Sequence, residues 1–427
     1  MAHHSWRRPL ILAAAIAIAA AGCGGAGGGQ SAAQPSGSGN QGQGKGDGVL
    51  KLGYVLPETG DLAFLGPPQI QATKYAIAQI NDGGGVLGKP IPDVVGGDEA
   101  NDASVANQSA DRVLASGVDV IIGAAASGMS LAIIDKVTGA HVVQCSGSNT
   151  APTFTDYNDH GYYFRTAPSD ALQGPVLADT VISDGNSKVA VVARADDYGR
   201  GLADATAKAL KEAGASVPVK ATYDPKTTNF DALVQKVANA KPDAVVMITF
   251  EEGKQILKGL IEAGYGPDKV GVYGADGLRS EQLGKLVSPD NPGIIAGMKG
   301  TAPASASNPQ FVKSLKKFAP KLKELQYAPQ VFDCVNVVAL AAEQANTDDP
   351  SVFKDEVIAV TKGGEKCDSF AACKKLIDKG KDIDYQGASG PLDFTDAGEP
   401  GQAMIEIYGY NKQGKLHTLD TVKSKPL

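Results

Sequence analysis

The sequence is poor in aromatic side chains, in histidine and in net basic charge. Aromatics make up 6% of its 427 residues, and no stacking platform for bases or rings stands out. Lys and Arg number 40 against 47 Asp and Glu, a balance of −7, so the basic footprint of a nucleic-acid binder is missing. The five histidines are scattered, and no CxxC occurs. His3 and His4 lie near the start, while His141, His160 and His417 have no partner at ligand spacing; no metal site is expected. Enzyme signatures fail as well. Gly199-Arg-Gly201 lacks the third glycine of a dinucleotide loop, and there is no P-loop lysine, nucleophile elbow or H-E-x-x-H. With no nucleophile beside a base, the expectation is a binding protein without cofactor, not an enzyme.

Long apolar runs are also lacking. Leu10 to Ala21 is the best, and it is short of the roughly 20 residues that span a bilayer. With Trp6-Arg7-Arg8 before it and Ala20-Ala21-Gly22-Cys23 after it, the stretch reads as an export signal. Its end resembles a bacterial lipoprotein signal, in which the cysteine is lipidated after cleavage. Residues 1–22 would then be the signal, Cys23 the lipid acceptor, and 23–48 a flexible tether rich in Gly, Ser, Gln and Ala. The expected location is extracytoplasmic, anchored to the membrane through lipid.

Export permits disulfides. Cys367 and Cys373, six positions apart, are the expected pair. Cys145 and Cys334 are distant in sequence and read either as a bridge or as two buried free thiols.

The body opens with a compact unit, Leu50 to Pro92. Leu50, Leu52, Tyr54 and Leu56 alternate as in a strand, and Gly66-Pro67-Pro68 opens a helix at the one place proline is tolerated. Ile70, Lys74, Ile77 and Ile80 recur at helical spacing until Asn81-Asp-Gly-Gly-Gly85 stops the run. Similar alternation continues to about Thr301. Val120–Gly123 and Val245–Ile248 are continuous apolar runs, as in parallel strands covered on both faces. A strand is expected at 91–96 and a Lys-rich helix at 311–325. Gly387–Phe394 and Ala403–Tyr410 read as a closing hairpin. The fold class is α/β, with two similar lobes that meet near Phe164–Pro168.

The body from Leu50 to about Leu416 resembles the branched-chain amino acid (leucine/isoleucine/valine) substrate-binding proteins of ABC importers. The resemblance is carried by LGYVLPETGDLAFLGPPQIQATKYAIAQINDGGGVLGKPI, SGSNTAPTFT, YFRTAPSDALQG, DDYGRGLA, YDPKTTNFDALVQKV and SGPLDF, in that order. It implies two Rossmann-like lobes joined by a three-crossing hinge, the type I periplasmic binding protein or Venus-flytrap form. Lobe one would hold 49–166 plus 301–386, and lobe two 167–300 plus 387–427.

The resemblance also implies a ligand set. Ser127 matches the serine for a ligand carboxylate, and Ser148 and Thr150 match the loop that contacts carboxylate and ammonium. Tyr198 matches the tyrosine closing from the opposite lobe, and Asp276 the acid that pairs with the ammonium. Leu65 and Phe250 fall at the side-chain pocket. The implied function is capture of a branched-chain or other small amino acid by a monomer that delivers it to ABC permease subunits. Alternatives on the same fold are binding of an amide, urea or aromatic acid, or a ligand-sensing module. A sensor would need a signalling segment after Leu416.

Overall fold

A computed structural model describes residues 46–305 and 308–426. The signal at 1–22, the acceptor Cys23 and most of the tether lie outside the described residues.

The first lobe begins with β1 (Leu52–Leu56), α1 (Gly66–Asp82), β2 (Val95–Asp98), α2 (Ala103–Ala115), β3 (Val120–Gly123), α3 (Ser127–Gly139), β4 (Val143–Ser146) and β5 (Tyr163–Arg165). Its five strands are parallel in the order β2-β1-β3-β4-β5. The chain then builds the second lobe with α4 (Asp170–Ser183), β6 (Lys188–Arg194), α5 (Asp197–Glu212), β7 (Ser216–Tyr223), α6 (Asp231–Ala240), β8 (Ala244–Ile248), α7 (Gly253–Glu262), β9 (Gly271–Gly274), α8 (Leu283–Val287) and β10 (Lys299–Pro303). It returns to the first lobe for α9 (Pro309–Phe318), α10 (Ala328–Ala345), α11 (Pro350–Phe353), β11 (Glu365–Cys367), α12 (Phe370–Ile377), β12 (Ile383–Gly387) and β13 (Gly390–Pro391). It ends on the second sheet with the antiparallel pair β14 (Met404–Tyr410) and β15 (Leu416–Lys423). That sheet runs β15-β14-β10-β9-β8-β6-β7. The architecture is two Rossmann-like lobes with three crossings between them, the type I periplasmic binding protein fold.

Local chemistry explains the helix starts. The Asp102 carboxylate accepts from the backbone N–H of Ser104 and Val105, Ser169 from Ala171, and Asp196 from Gly199. The strands Val120–Gly123 and Ala244–Ile248 are buried throughout, so burying them removes a continuous apolar ribbon from water. Two helices of the second lobe meet at Gly174. A Cβ there would sit 2.6 Å from that of Ala205, so α4 and α5 pack this closely only around glycine.

Several expectations need correction. β2 starts at Val95, not at Ile91. The Asn81 side chain claims both the N–H and the C=O of Ile91, which Pro90 and Pro92 flank. The Lys-rich helix stops at Phe318, because Pro320 cannot continue it. Gly387–Phe394 does not join the closing hairpin. It pairs with β12, and Leu392 and Phe394 pack in the first-lobe core, so the segment stays with that lobe instead of opening a 387–427 block of the second. The hairpin partner of Met404–Tyr410 is Leu416–Lys423.

Both cysteine pairs are bonded. Cys367 and Cys373 close a short loop, and Cys145 on β4 is bridged to Cys334 on α10, with Cα atoms 5.9 Å apart. The open alternative of two free thiols is therefore replaced by a bridge, as β4 and α10 are packed neighbours in the fold. At the hinge, Arg165 and Glu399 form a fully buried ion pair, and Arg165 Nη1 also donates to the Ala151 carbonyl at 2.7 Å. This ties the first crossing to the segment that leads into the third.

Candidate functional site

The loops leaving the strand ends of the two sheets meet face to face. From the first lobe come the turn 63–65 after β1, the start of α3 and the loop after β4. From the second come the start of α5 and the loops after β8 and β9. Six of the residues named from the sequence line one cavity here: Leu65, Ser127 and Ser148 from the first lobe, and Tyr198, Phe250 and Asp276 from the second. Thr150 does not line it and stands behind, buried. The cavity is tight, about 20 Å³, room on the order of one water molecule. A roomier cavity of about 120 Å³ lies at the hinge crossings, among Pro168, Pro303 and Pro391. Its lining carries Thr166, Ser389, Asp393 and Lys423, and none of the residues named from the sequence lines it.

The turn into α3 depends on Gly123, whose φ is +116° and whose Cβ would fall 2.1 Å from the Val55 carbonyl oxygen. The backbone thus brings Ala125, Ala126 and Ser127 to the cavity wall. Two of the N–H groups at this helix start are already used. The Glu99 carboxylate accepts from Ala125 N at 2.6 Å and Ala126 N at 3.0 Å. Burial pushes the Glu99 carboxyl up to about 8, against the pull of those two hydrogen bonds. The Ser127 hydroxyl accepts from Ala151 N at 3.3 Å, which leaves its own proton for a ligand. Ser148 Oγ lies 3.0 Å from Gln69 Oε1 and 3.2 Å from the Ala125 carbonyl.

The second lobe supplies acid and aromatic surface. Asp276 Oδ1 accepts from Gln173 Nε2 at 2.8 Å and Tyr198 hydroxyl at 3.0 Å, and Oδ2 accepts from the Tyr327 hydroxyl at 2.6 Å. Tyr198 stacks on Phe250 with ring centres 5.2 Å apart, and the Arg194 guanidinium lies 3.5 Å from the Phe250 centroid. Glu252 holds Arg194 at 2.8 Å, so this acid serves the aromatic wall.

Behind Asp276 stands a second carboxyl, Asp170, at the start of α4. It is completely buried. The Thr150 side chain lies against it, but neither Asp170 oxygen completes a hydrogen bond. Burial and the nearby Asp276 charge push Asp170 well above the usual carboxylate range. Burial raises Asp276 as well, opposed by the hydrogen bonds from Tyr327, Gln173 and Tyr198. The two tyrosines are themselves raised, first by burial and then by Asp276, so they remain neutral donors. No Lys or Arg lines the cavity. Beyond the Arg165 charge, which acts on Asp170 from the hinge, the two acids have no basic counterpart, and a cationic group on a small molecule would let both ionise.

The sequence reading missed Asp170, Gln173, Tyr327 and Glu99. Asp170 and Gln173 sit inside YFRTAPSDALQG, which carried the family resemblance but no assigned role. Tyr327 lies between unremarkable neighbours, and its left-handed backbone, φ +63°, is invisible in the sequence. Among the described residues no His, Cys, Asp and Glu side chains gather as a metal site, and no helix is long and apolar enough to cross a membrane.

Two α/β lobes with a polar, aromatic-walled cavity between their strand ends define a two-lobed solute receptor. The model of the periplasmic binding protein family matches residues 49–414, and the chain belongs to that family. Relatives include a Leu/Ile/Val-binding protein homologue of Brucella melitensis, 23% identical over 373 residues (87% of this chain, 94% of that one). The leucine-, isoleucine-, valine-, threonine- and alanine-binding protein of Pseudomonas aeruginosa is 26% identical over 316 residues (73% and 83%). A leucine-binding protein of Thermotoga maritima has a similar structure, with TM-score 0.73 and 21% identity over 88% of this chain and 99% of that one. So does an ABC-transporter solute-binding protein of R. palustris in complex with benzoate, with TM-score 0.71 and 19% identity over 89% and 98%.

Proposed function

We propose that the solute is a small amino acid, aliphatic in its side chain, held between the closing lobes and handed to an ABC permease. The observation that carries this reading is Asp276 at the cavity wall, set among neutral donors and backed by the buried Asp170, with no Lys or Arg lining the cavity. An ammonium group fits that pair. Ser127 offers a hydroxyl proton to a carboxylate on the first-lobe side, and Leu65 and Phe250 offer apolar surface to a short side chain. A zwitterion is costly to desolvate, and charged hydrogen bonds of about 1.5–3 kcal/mol each offset that cost. Several of them, less the cost of closure, correspond to roughly micromolar affinity. The small cavity favours a small solute.

An aromatic acid is the second reading. The R. palustris receptor in complex with benzoate and the stacked wall of Tyr198 and Phe250 favour it. Asp276 opposes it, since a carboxylate without an amine would meet that acid at the cavity wall, with Asp170 behind it.

A thermal-shift panel of amino acids, amides and aromatic acids on the protein tests the choice, because a ligand of the folded state raises the melting temperature. The largest shift is expected with an aliphatic L-amino acid. A shift with benzoate alone sinks the amino-acid reading. Lipid anchoring through Cys23 belongs to the same proposal. Cys23→Ala should release the protein from the membrane fraction, and retention there would contradict it.

A further inference from the structure

The segment Lys313–Lys323 holds five lysines and no acid in a chain of net charge −7. All five are exposed, and none is among the ion pairs of the described residues. Lys313, Lys316 and Lys317 share one face of α9, since positions three and four apart are neighbours on a helix. Lys321 and Lys323 extend the patch past Pro320. Glu281 and Glu324 border it, and Glu324 is engaged with Arg279. Between the lysines stands Phe318, which packs on Tyr75 at 5.3 Å and still leaves 43% of its surface exposed. Beside it is a shallow notch of about 370 Å³ among Pro67, Gln71, Phe318, Pro320 and Leu322.

This patch is joined to the cleft at both ends. Pro67 and Gln71 belong to the first turns of α1, directly after Leu65 of the cavity. After Lys323 the chain, still in the first lobe, reaches the second lobe through three side-chain contacts. Glu324 Oε1 accepts from Arg279 Nη1 at 3.2 Å, Gln326 Nε2 donates to the Asp276 carbonyl at 2.8 Å, and the Tyr327 hydroxyl donates to the Asp276 carboxylate. A pull on Lys321–Lys323 would act on the bonds that hold the lobes together.

We propose that Lys313–Lys323 with Phe318 is a docking surface for an acidic face of a protein partner, and that docking loosens the 324–327 contacts and opens the cleft. The inference rests on the solute-receptor reading, in which the partner is the translocator that must release the solute. A membrane surface fits less well. Insertion of an amphipathic helix needs a free apolar face, whereas Phe311 and Leu315 of α9 are buried in the first-lobe core. The exposed apolar element is a notch beside one phenylalanine, a shape that takes a side chain.

The test uses the full-length protein and a fluorescent peptide of ten glutamates as the acidic probe, read by anisotropy at low salt, where such contacts are strongest. Saturable binding is expected. It should weaken about tenfold or more in Lys316→Glu/Lys317→Glu/Lys321→Glu. Phe318→Ser should weaken it by a smaller factor. Lys208→Glu/Lys211→Glu/Lys236→Glu, the same charge change on the second lobe, should leave it unchanged. Equal loss in both triples would reduce the effect to net charge and overturn the proposal. Vesicles of phosphatidylglycerol and phosphatidylcholine form the second arm. If the first triple abolishes vesicle binding but not peptide binding, the partner is a membrane and the protein-docking inference is wrong. X-ray scattering reads the coupling. Saturating peptide should enlarge the radius of gyration, and Glu324→Gln should do so without peptide; an unchanged radius in both contradicts coupling. The triple variant should keep its amino-acid thermal shift. Absence of any shift in the wild type would instead count against the solute reading, independently of the peptide result.

Discussion

The hydroxyl of Tyr327, carried by the first lobe, donates to the carboxylate of Asp276, carried by the second, at 2.6 Å. It is a direct hydrogen bond across the cleft, and it lands on the acid that the proposed function gives to the ligand's ammonium; in that reading closure and recognition share an atom. Tyr327→Phe keeps the ring and deletes the bond. A hydrogen bond to a charged group contributes about 1.5–3 kcal/mol, so the closed form should become less populated. X-ray scattering should show a larger mean radius of gyration for the variant, with an unchanged circular-dichroism spectrum. An unchanged radius would mean that closure does not depend on this contact.

The two cleft acids should separate in mutagenesis. Asp276 has three donors on its carboxylate, so Asp276→Ala strands Gln173, Tyr198 and Tyr327 and should cost stability as well as ligand binding. Asp170 has none, so Asp170→Asn removes a group whose ionisation is disfavoured and should leave the melting temperature equal or higher. Both variants should lose the amino-acid thermal shift. If Asp170→Asn keeps the full shift by the same titration, the ammonium does not rely on the pair.

Much of this fold was legible because burial writes itself into apolar periodicity. Val120–Gly123 and Val245–Ile248 read as covered strands, and they are. Gly66-Pro67-Pro68 read as a helix start, and α1 begins there. What escaped was set by contacts between distant segments. The start of β2 was moved by the Asn81 side chain, and Gly387–Phe394 was claimed by β12 and the first-lobe core. The site followed the same rule. Leu65, Ser127, Ser148, Tyr198, Phe250 and Asp276 were marked by family motifs and converge on one cavity. Thr150 was marked too, yet it backs Asp170 behind the wall. Asp170 acquires its character from being buried beside Asp276, a partner 106 positions away by the numbering 276 minus 170.

Stability should fall as pH rises through the neutral range. Burial raises Glu99 to about 8, Asp119 to about 7 and Asp333 to about 6, and it raises Asp170 and Asp276 as well. In the unfolded chain these carboxyls titrate near 4. Between about pH 4 and 8 the native state therefore holds protons that the unfolded state has released, and the slope of unfolding free energy with pH is negative. The opposing groups, Asp47 and Asp98, are lowered and lose their contribution only as pH falls below the ordinary carboxylate range. The melting temperature should be higher at pH 5 than at pH 8 in the absence of solute. Ligand affinity should run the other way. An ammonium ligand requires the acid pair ionised, so its dissociation constant should drop from pH 5 to pH 8. A flat or reversed affinity profile would argue against a cationic group at Asp170 and Asp276.

The two disulfides should differ in what they hold. Cys367 and Cys373 enclose a loop six positions long, whereas Cys145 and Cys334 join segments 189 positions apart. In the chain-entropy account the constraint on the unfolded state grows with the logarithm of loop length, so the long bridge should contribute more, on the order of 3–5 kcal/mol. It also has a local consequence. Cys145 precedes Ser146, whose hydroxyl accepts from the backbone N–H of Ser148 and Asn149, and Cys334 lies on α10 just beyond Tyr327. The bridge thus fixes the first-lobe serine loop against the helix that carries the cross-cleft tyrosine. Cys145→Ala/Cys334→Ala should lower the melting temperature by several degrees and weaken solute binding as well. Cys367→Ala/Cys373→Ala should have a smaller effect on stability and none on affinity, since no residue of that loop lines the cavity. Equal losses of affinity in the two double variants would show that the long bridge acts through global stability alone. Calorimetric unfolding and isothermal titration on both proteins decide between these outcomes.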